Sequence, residues 1–204
     1  MNTELTTVVW DVTAPRHLAL ARRADLMMAV TGLTVPRHVA DPTEPTGTDI
    51  LLQPWDSLSE LAAAEHHFLT RSRRTGSMED LDRSRRLAEI RMHPDLRVID
   101  LIEQEQEDMD VLASRGFTKR MGFSLGLGSG ERAVLAVAAN RDWVAGLDDG
   151  AARAAAQEWG VPVMTTQDLL RAAADRLLVT RAEAEAINRT MIGDGFFGQQ
   201  QLYP

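Results

Sequence analysis

Short apolar runs alternate with longer amphipathic stretches along much of the chain, and the alternation is clearest in the last third. Apolar runs at 143–147 and 161–164 are each followed by a polar turn and a stretch with helical periodicity, over 151–159 and 166–174. A parallel strand that is buried on both faces is short, apolar throughout and bounded by turn-forming residues. Strands that alternate with helices of about ten residues indicate βαβ units. The pattern therefore predicts an α/β fold with a central parallel sheet covered by helices on both faces.

The first half of the chain continues this alternation less regularly. Residues 6–10 and 33–35 are predicted strands, and the segment between them is predicted to turn into one helix after Asp11. Residues 41–48 contain two prolines, three threonines and a glycine and are predicted to form a loop. Ser57, with a glutamate three residues later, has the spacing of a capping box, which predicts a helix that extends to about residue 70. The remaining predicted elements are helices over 77–91, 103–110, 131–140 and 180–191 and a strand over 96–102.

Composition and charge exclude several classes of protein. The chain has 204 residues, with 22 basic and 30 acidic side chains, a net charge of −8 and no cysteine. The length suits a single domain over 1–204. The lack of cysteine excludes disulfides, thiolate nucleophiles and cysteine-based zinc sites. The acidic balance disfavours a protein that coats nucleic acid, but it is compatible with a nuclease whose metal ions supply the positive charge.

The sequence carries no visible signal for a membrane or for export. No run approaches the roughly 20 uncharged apolar residues that span a bilayer. The N-terminus also lacks a basic patch followed by a long apolar core. These observations predict a soluble cytoplasmic domain without a membrane partner.

Acidic side chains collect where the predicted strands end. Asp11 follows the first strand, Asp148 and Asp149 follow the strand near 145, and Glu131 opens the Ala-rich helix just before that strand. The carboxyl ends of parallel strands are where functional groups gather in such sheets. Carboxylates that lie close together need a cation, and oxygen ligands without histidine or cysteine suit Mg²⁺ or Mn²⁺. The set favours metal-assisted hydrolysis of a phosphodiester.

Each of these acids also has a structural interpretation. Asp149 is suited to cap the following helix, and Glu131 in a first helical turn is stabilised by the helix dipole without any metal. Asp11 is the most distinctive of them, because the end of a strand would otherwise favour an apolar or turn-forming residue. The combination of the three carries more weight than any single acid.

The segments around these acids resemble the PIN-domain superfamily. They are Gly128-Ser-Gly-Glu131 with its Ala-rich helix, Asp148-Asp149-Gly-Ala-Ala-Arg153, and Gly160-Val-Pro-Val-Met-Thr-Thr-Gln-Asp-Leu-Leu. The resemblance is greatest to a poorly characterised prokaryotic branch related to toxin–antitoxin ribonucleases, whose pattern is Leu-Gly-x-Gly-Glu, an Ala-rich helix, and a strand with Asp-Asp-x-x-Ala-Arg. Gly195-Phe-Phe with Leu202-Tyr203 resembles the C-terminal end of that branch.

The N-terminal half resembles the family more loosely. Val8-Val-Trp-Asp11 is similar to the opening strand and its acid, with about two extra residues before the helix. The resemblance covers roughly 5–40 and 120–204, which leaves about 50–120 as a long helical insertion within a single PIN-like domain.

The resemblance implies a site and an activity. Asp11, Glu131 and Asp149, with Asp148 beside it, correspond to metal ligands, and PIN proteins are typically Mg²⁺- or Mn²⁺-dependent ribonucleases. Many of them are toxins that are paired with a small antitoxin protein. The expected function is therefore a metal-dependent endoribonuclease with an RNA substrate, acting as the toxin of such a pair.

The chain departs from the family at its fourth acid. The family's residue is expected near position 42, which is Pro42 here, with Asp41 and Glu44 as the flanking substitutes. This departure supports a second interpretation, in which the chain is a catalytically impaired PIN-like protein that binds nucleic acid or regulates. A phosphatase with Asp11 as nucleophile is disfavoured, because the second acid that it needs two residues later is replaced by Thr13.

Other motifs leave alternatives open. A concentration of arginines in the middle segment is suited to RNA phosphates, but interspersed acids are typical of an ion-paired helix surface. The RNA-binding candidates there are Arg71, Arg73, Arg74, Arg85 and Arg86. The glycine-rich run 125–130 differs from a dinucleotide fingerprint, because Glu131 would repel a pyrophosphate. His66 and His67 point about 100° apart on a helix and are predicted to form a surface pair. The tail from Phe196 is interpreted either as flexible or as a contact in a homodimer.

Overall fold

The computed structural model describes residues 7–31, 33–37 and 57–203. Within these ranges, five parallel strands form one sheet in the order β3-β2-β1-β4-β5. The strands are β1 (Val8–Trp10), β2 (Leu33–Arg37), β3 (Leu96–Asp100), β4 (Val144–Gly146) and β5 (Val163–Met164). The predicted loop over 41–48 lies outside the described residues. The predicted α/β class with a central parallel sheet is confirmed.

Helices cover both faces of this sheet. In the described part of the chain they are α1 (Thr13–Leu20), α2 (Ala24–Val30), α3 (Ser57–Thr75), α4 (Met78–Arg91), α5 (Glu103–Ala113), α6 (Arg115–Met121), α7 (Ser129–Arg141), α8 (Gly150–Glu158), α9 (Thr166–Asp175) and α10 (Arg181–Gly193). Among these helices, none combines the length and apolar character that a bilayer crossing requires.

The side chains of β1 alternate between the two faces of the sheet, and the buried core forms one cluster on each face. Trp10 packs with apolar residues of α1–α4, α9 and α10, whereas Val9 packs with residues of α5–α8. Successive side chains of a strand point to opposite faces, so a single apolar strand serves both clusters. Gly146 in β4 permits this packing, because a Cβ there would lie 2.2 Å from Cε3 of Trp10.

The segment after β1 forms two helices where the sequence predicted one. The chain reverses at Arg22, which has a left-handed φ of 61° between α1 and α2. This reversal brings Leu26 and Met27 into the same core cluster as Leu18. The burial of these apolar positions outweighs the strain of a non-glycine residue in the left-handed region.

The middle segment contributes both a helical hairpin and a strand. Gly76, with φ 71°, joins α3 to α4, and Ser77 caps α4 by accepting a hydrogen bond from the backbone N–H of Asp80 at 3.1 Å. Arg91 pairs with Glu65 at 3.0 Å and ties the two helices together. The capping box predicted at the start of α3 falls on side chains outside the described ones. The β3 strand joins the sheet edge beside β2, and the limits of the predicted insertion stay a prediction.

His17 is a buried titratable group on α1. Its side chain packs 5.4 Å from the Phe196 ring, and Nδ1 has no hydrogen-bond partner within the described structure. The pKa of His17 is lowered from 6.5 to about 4, mainly by burial and in part by the charge of Arg16, while the charge of Asp194 opposes the shift. Between about pH 4 and pH 6.5, this imidazole is therefore neutral in the folded protein but protonated in the unfolded chain.

We expect this burial to make the folded protein sensitive to acid. A His pKa that is lower in the folded state contributes full stability above pH 6.5 and loses it as the pH falls towards 4. The free energy of unfolding should fall by ~3 kcal/mol between pH 7 and pH 4 from this residue alone. Urea unfolding of the wild type and of His17→Gln at several pH values isolates the effect, since the carboxylates of both proteins titrate alike. An unchanged difference between the two proteins across this range would contradict the assignment.

Candidate active site

Asp11 lies at the carboxyl end of the central strand. It follows β1 directly, and its backbone N–H donates to the Gly146 carbonyl of β4 at 3.0 Å. Its Oδ2 accepts hydrogen bonds from the Thr13 hydroxyl at 2.9 Å and from the Thr13 backbone N–H at 3.3 Å. Thr13 therefore orients the carboxylate at the junction of β1 and β4.

Asp148 follows β4 and joins it to the start of α9. Its Oδ1 accepts from the Thr166 backbone N–H at 2.8 Å, and its Oδ2 accepts from the Thr166 hydroxyl at 2.5 Å. Thr166 is fully buried, so this carboxylate is held at a defined position on the sheet edge.

Glu131 and Asp149 both form hydrogen bonds at helix starts; Asp149 caps α8 as its structural interpretation predicted, and Glu131 lies in the first turn of α7 as expected. The Glu131 Oε2 accepts from the Gly128 backbone N–H at 2.8 Å at the start of α7. The Asp149 Oδ1 accepts from the backbone N–H groups of Ala151 and Ala152 at 2.7 and 3.0 Å at the start of α8. These bonds use one oxygen of each carboxylate and leave the second oxygen free of them. Capping therefore orients both acids without occupying them fully.

The four acids influence one another electrostatically. Burial raises the pKa of Asp11, Glu131 and Asp148, and desolvation is the largest cause in each case. The charge of Asp149 raises the pKa of Asp11 and of Glu131 further, and the charge of Asp11 raises that of Glu131 and of Asp148. Such mutual effects require the acids to share one region, although they come from three separate segments of the chain.

No salt bridge within 4.0 Å neutralises these acids in the part of the chain that the structure describes. Their donor set consists of carboxylate oxygens, which fits a hard divalent cation. Within residues 7–31, 33–37 and 57–203, however, no three acidic or histidine side chains already form a metal site. The expectation that Asp11, Glu131 and Asp149 share one ion stays a prediction.

Asp41 and Glu44, the candidates for the fourth acid of the predicted site, lie outside the described residues, as does Pro42 between them. The glycine-rich run leads into α7, which begins at Ser129 and carries Glu131 in its first turn. His66 and His67 are both exposed on α3, and the predicted surface pair is confirmed.

Two of the predicted RNA-binding arginines are engaged in the fold. Arg71 pairs with Asp80 at 3.1 Å, and Arg86 pairs with Asp82 and donates to the Leu20 carbonyl. Ion pairing within the protein therefore accounts for two of the five predicted RNA-binding arginines. Three arginines are exposed and form no ion pair with another described residue: Arg73, Arg74 and Arg85.

A cavity beside the acids is not predicted by any sequence pattern. Its volume is about 430 Å³, and Asp148, Arg153, Arg171 and Phe197 are among the residues that line it. Arg153 and Phe197 appear in the sequence only as parts of the family-like motifs. A sequence signal for the cavity is lacking, because it forms between the end of β4, the start of α9 and the C-terminal segment.

The structure therefore combines a five-stranded parallel sheet with acids at its carboxyl edge. The family model of the PIN domain matches residues 87–204, which is more than half of the chain. The chain belongs to the PIN-domain family, and the predicted resemblance is confirmed. PIN domains are generally nucleases. Comparison with curated proteins and with solved structures yields no match.

Proposed function

We propose that this protein is a metal-dependent endoribonuclease that hydrolyses RNA phosphodiester bonds. The observation that carries the proposal is the position of Asp11 at the end of the central strand, where its backbone N–H bonds to Gly146 of β4, the strand that leads to Asp148 and Asp149. The family supports it, since PIN domains are generally nucleases that use divalent metals. Asp11, Glu131 and Asp149, with Asp148, would hold Mg²⁺ or Mn²⁺.

The proposed roles follow from how each acid is oriented. A divalent ion held by these carboxylates would supply Lewis acidity for hydrolysis of the phosphodiester. Thr13 orients Asp11, and the caps of α7 and α8 orient Glu131 and Asp149 by hydrogen bonds to one oxygen each. The partial burial of Asp11 strengthens its attraction for a cation, because less water screens its charge than at an exposed position.

The proposal also includes contacts with the RNA backbone and with protein partners. The exposed arginines of the α3–α4 hairpin, Arg73, Arg74 and Arg85, are candidates for contacts with the RNA backbone. Pairing with a small antitoxin, as in related toxin ribonucleases, is proposed from the family resemblance. A homodimer is a further partner proposal.

A specific observation favours a second candidate function. No three acids of the described residues have the arrangement of a metal site, and the family's fourth acid corresponds to Pro42. The alternative is a catalytically impaired PIN-like protein with a nucleic-acid-binding or regulatory role.

Cleavage assays distinguish the two functions. The purified protein is incubated with 5′-labelled single-stranded RNA in Mn²⁺, in Mg²⁺ or in excess chelator, with single-stranded DNA in parallel. We expect internal cleavage of RNA with metal, no cleavage with chelator, and recovery when metal is restored in excess. RNA that is bound but remains intact at every metal concentration would contradict the nuclease and support the binding protein.

A further inference from the structure

Two buried side-chain amides form hydrogen bonds that hold the C-terminal segment against the domain. The Gln167 amide donates to the Gln199 carbonyl at 2.7 Å and to the Asn188 side-chain oxygen at 3.0 Å. The Gln199 backbone N–H donates to Gln167 Oε1 at 3.1 Å, and the Asn188 amide donates to the Gln199 carbonyl at 2.9 Å. Because Gln167 and Asn188 are buried in α9 and α10, the backbone at Gln199 is held in place.

The residues just before Gln199 are also held in place. Phe196 is buried in the core, with its ring 5.4 Å from that of His17. Gly198 packs so closely that a Cβ there would lie 2.4 Å from the Phe196 ring and 2.8 Å from Gln167 Nε2. The two neighbours of Phe197 are therefore both anchored.

Phe197 itself remains in solvent, with 97% of its surface exposed. Burial of a phenylalanine side chain is strongly favourable, so a fully exposed ring between two anchored neighbours forgoes that stabilisation. The anchors reduce the conformational entropy that the ring would lose on binding a ligand. This arrangement suits a residue that packs against a ligand rather than against the protein.

The chemistry around Phe197 indicates the class of that ligand. Phe197 shares its cavity with Asp148 of the acidic edge and with Arg153 and Arg171. Arg171 is held by Asp168 at 2.8 Å and by the Leu202 carbonyl at 3.0 Å. Arg153 is exposed and forms no ion pair with another described residue. An aromatic face beside an unpaired cation matches a base and a phosphate.

We infer that this cavity is a subsite for one unpaired nucleotide, whose base stacks on Phe197 and whose phosphate is bound by Arg153. The inference rests on the proposed function, since Asp148 places the subsite next to the acids that would cleave the strand. A base inside a duplex has both faces covered by its neighbours and cannot stack on Phe197. The subsite therefore selects single-stranded substrate.

Equilibrium binding of a short fluorescent RNA tests the subsite separately from cleavage. Fluorescence anisotropy in chelator is measured for the wild type, Phe197→Ala, Phe197→Tyr and Arg153→Gln, with single-stranded and duplex RNA. Met92→Ala is the matched control, because Met92 is also a large apolar residue that is mostly exposed, at 73%. Phe197 is so exposed that its replacement should leave the fold intact, which a melting curve verifies.

We expect Phe197→Ala to weaken binding of single-stranded RNA about 10- to 100-fold, as loss of one stacked base would. Phe197→Tyr and Met92→Ala should bind within about threefold of the wild type, since tyrosine keeps the stacking face. Arg153→Gln should reduce the salt dependence by the equivalent of about one phosphate contact. Duplex binding should be insensitive to Phe197→Ala.

The outcomes separate this inference from the proposed function. A wild type that never cleaves RNA, together with weakened binding by Phe197→Ala, would contradict the nuclease and leave the subsite standing. Cleavage by the wild type, together with unchanged binding by Phe197→Ala, would overturn the subsite and leave the nuclease standing. Wild-type protein that binds no single-stranded RNA would also overturn the subsite, and the exposed ring would then be assigned to a protein partner.

Discussion

Asp11→Asn is expected to reduce metal-dependent RNA cleavage by at least about 100-fold, because it removes a negative charge that would bind the ion in the proposed site. The substitution preserves the shape of the side chain, and its oxygen can still accept the 2.9 Å hydrogen bond from Thr13. It also removes a negative charge that raises the pKa of Glu131 and of Asp148. The metal-free variant should therefore be at least as stable as the wild type.

Single-turnover cleavage rates and melting temperatures, each measured with and without Mn²⁺, test this expectation. Mn²⁺ should raise the melting temperature of the wild type by binding to its folded state, and should have little effect on Asp11→Asn. Asp110→Asn is the matched control, because Asp110 is an exposed acid on α5 without a hydrogen-bonding or ionic partner among the described residues. Wild-type cleavage by Asp11→Asn would remove the basis for the proposed metal site.

Arg141→Met is expected to lower the free energy of unfolding by ~3–5 kcal/mol, since it leaves a fully buried carboxylate unpaired. Glu105 on α5 has no exposed surface, and Arg141 at the end of α7 binds both of its oxygens, at 2.6 and 2.9 Å. Arg141 also donates to the Asp100 carbonyl at 3.0 Å, and its guanidinium lies 5.3 Å from the Trp143 ring. The pair joins the middle segment to the helix that carries Glu131.

A double-mutant cycle separates the ion pair from the other contacts of Arg141. Urea unfolding is measured for Arg141→Met, Glu105→Gln and the double variant. Glutamine keeps an acceptor for the Ile102 backbone N–H, which donates to Glu105 at 2.9 Å, but it removes the buried charge. The double variant should therefore be more stable than Arg141→Met alone. If Glu105→Gln gives no recovery in the Arg141→Met background, the loss comes from packing rather than from an unpaired charge.

Features that depend on local chemistry were predictable from the sequence. The helix predicted from residue 180 starts there with a capping box, in which the Thr180 N–H donates to Glu183 Oε2 at 2.7 Å. Ser77 caps α4, and Asp149 caps α8. A cap needs only a polar side chain within a few residues of unpaired backbone N–H groups, so its information is contained in a short stretch of sequence.

The acidic edge was predictable for a related reason. All strands of a parallel sheet end on the same side, so Asp11 and Asp148 could be assigned to one edge before the order of the strands was known. The sequence could not determine that burial raises the pKa of both acids, because the residues that bury them come from other segments. It also could not indicate that Thr166 holds Asp148 from 18 positions further along the chain.

The amino-acid sequence by itself determined the α/β class, most of the helix starts and the acids at the strand ends, because periodicity, caps and turns act over a few residues. Only the tertiary structure decided the strand order, the reversal at Arg22 and the exposure of Phe197 between anchored neighbours. These features depend on contacts between distant segments, such as Gln167 with Gln199. Such contacts stabilise the protein only after the core has brought the distant segments together.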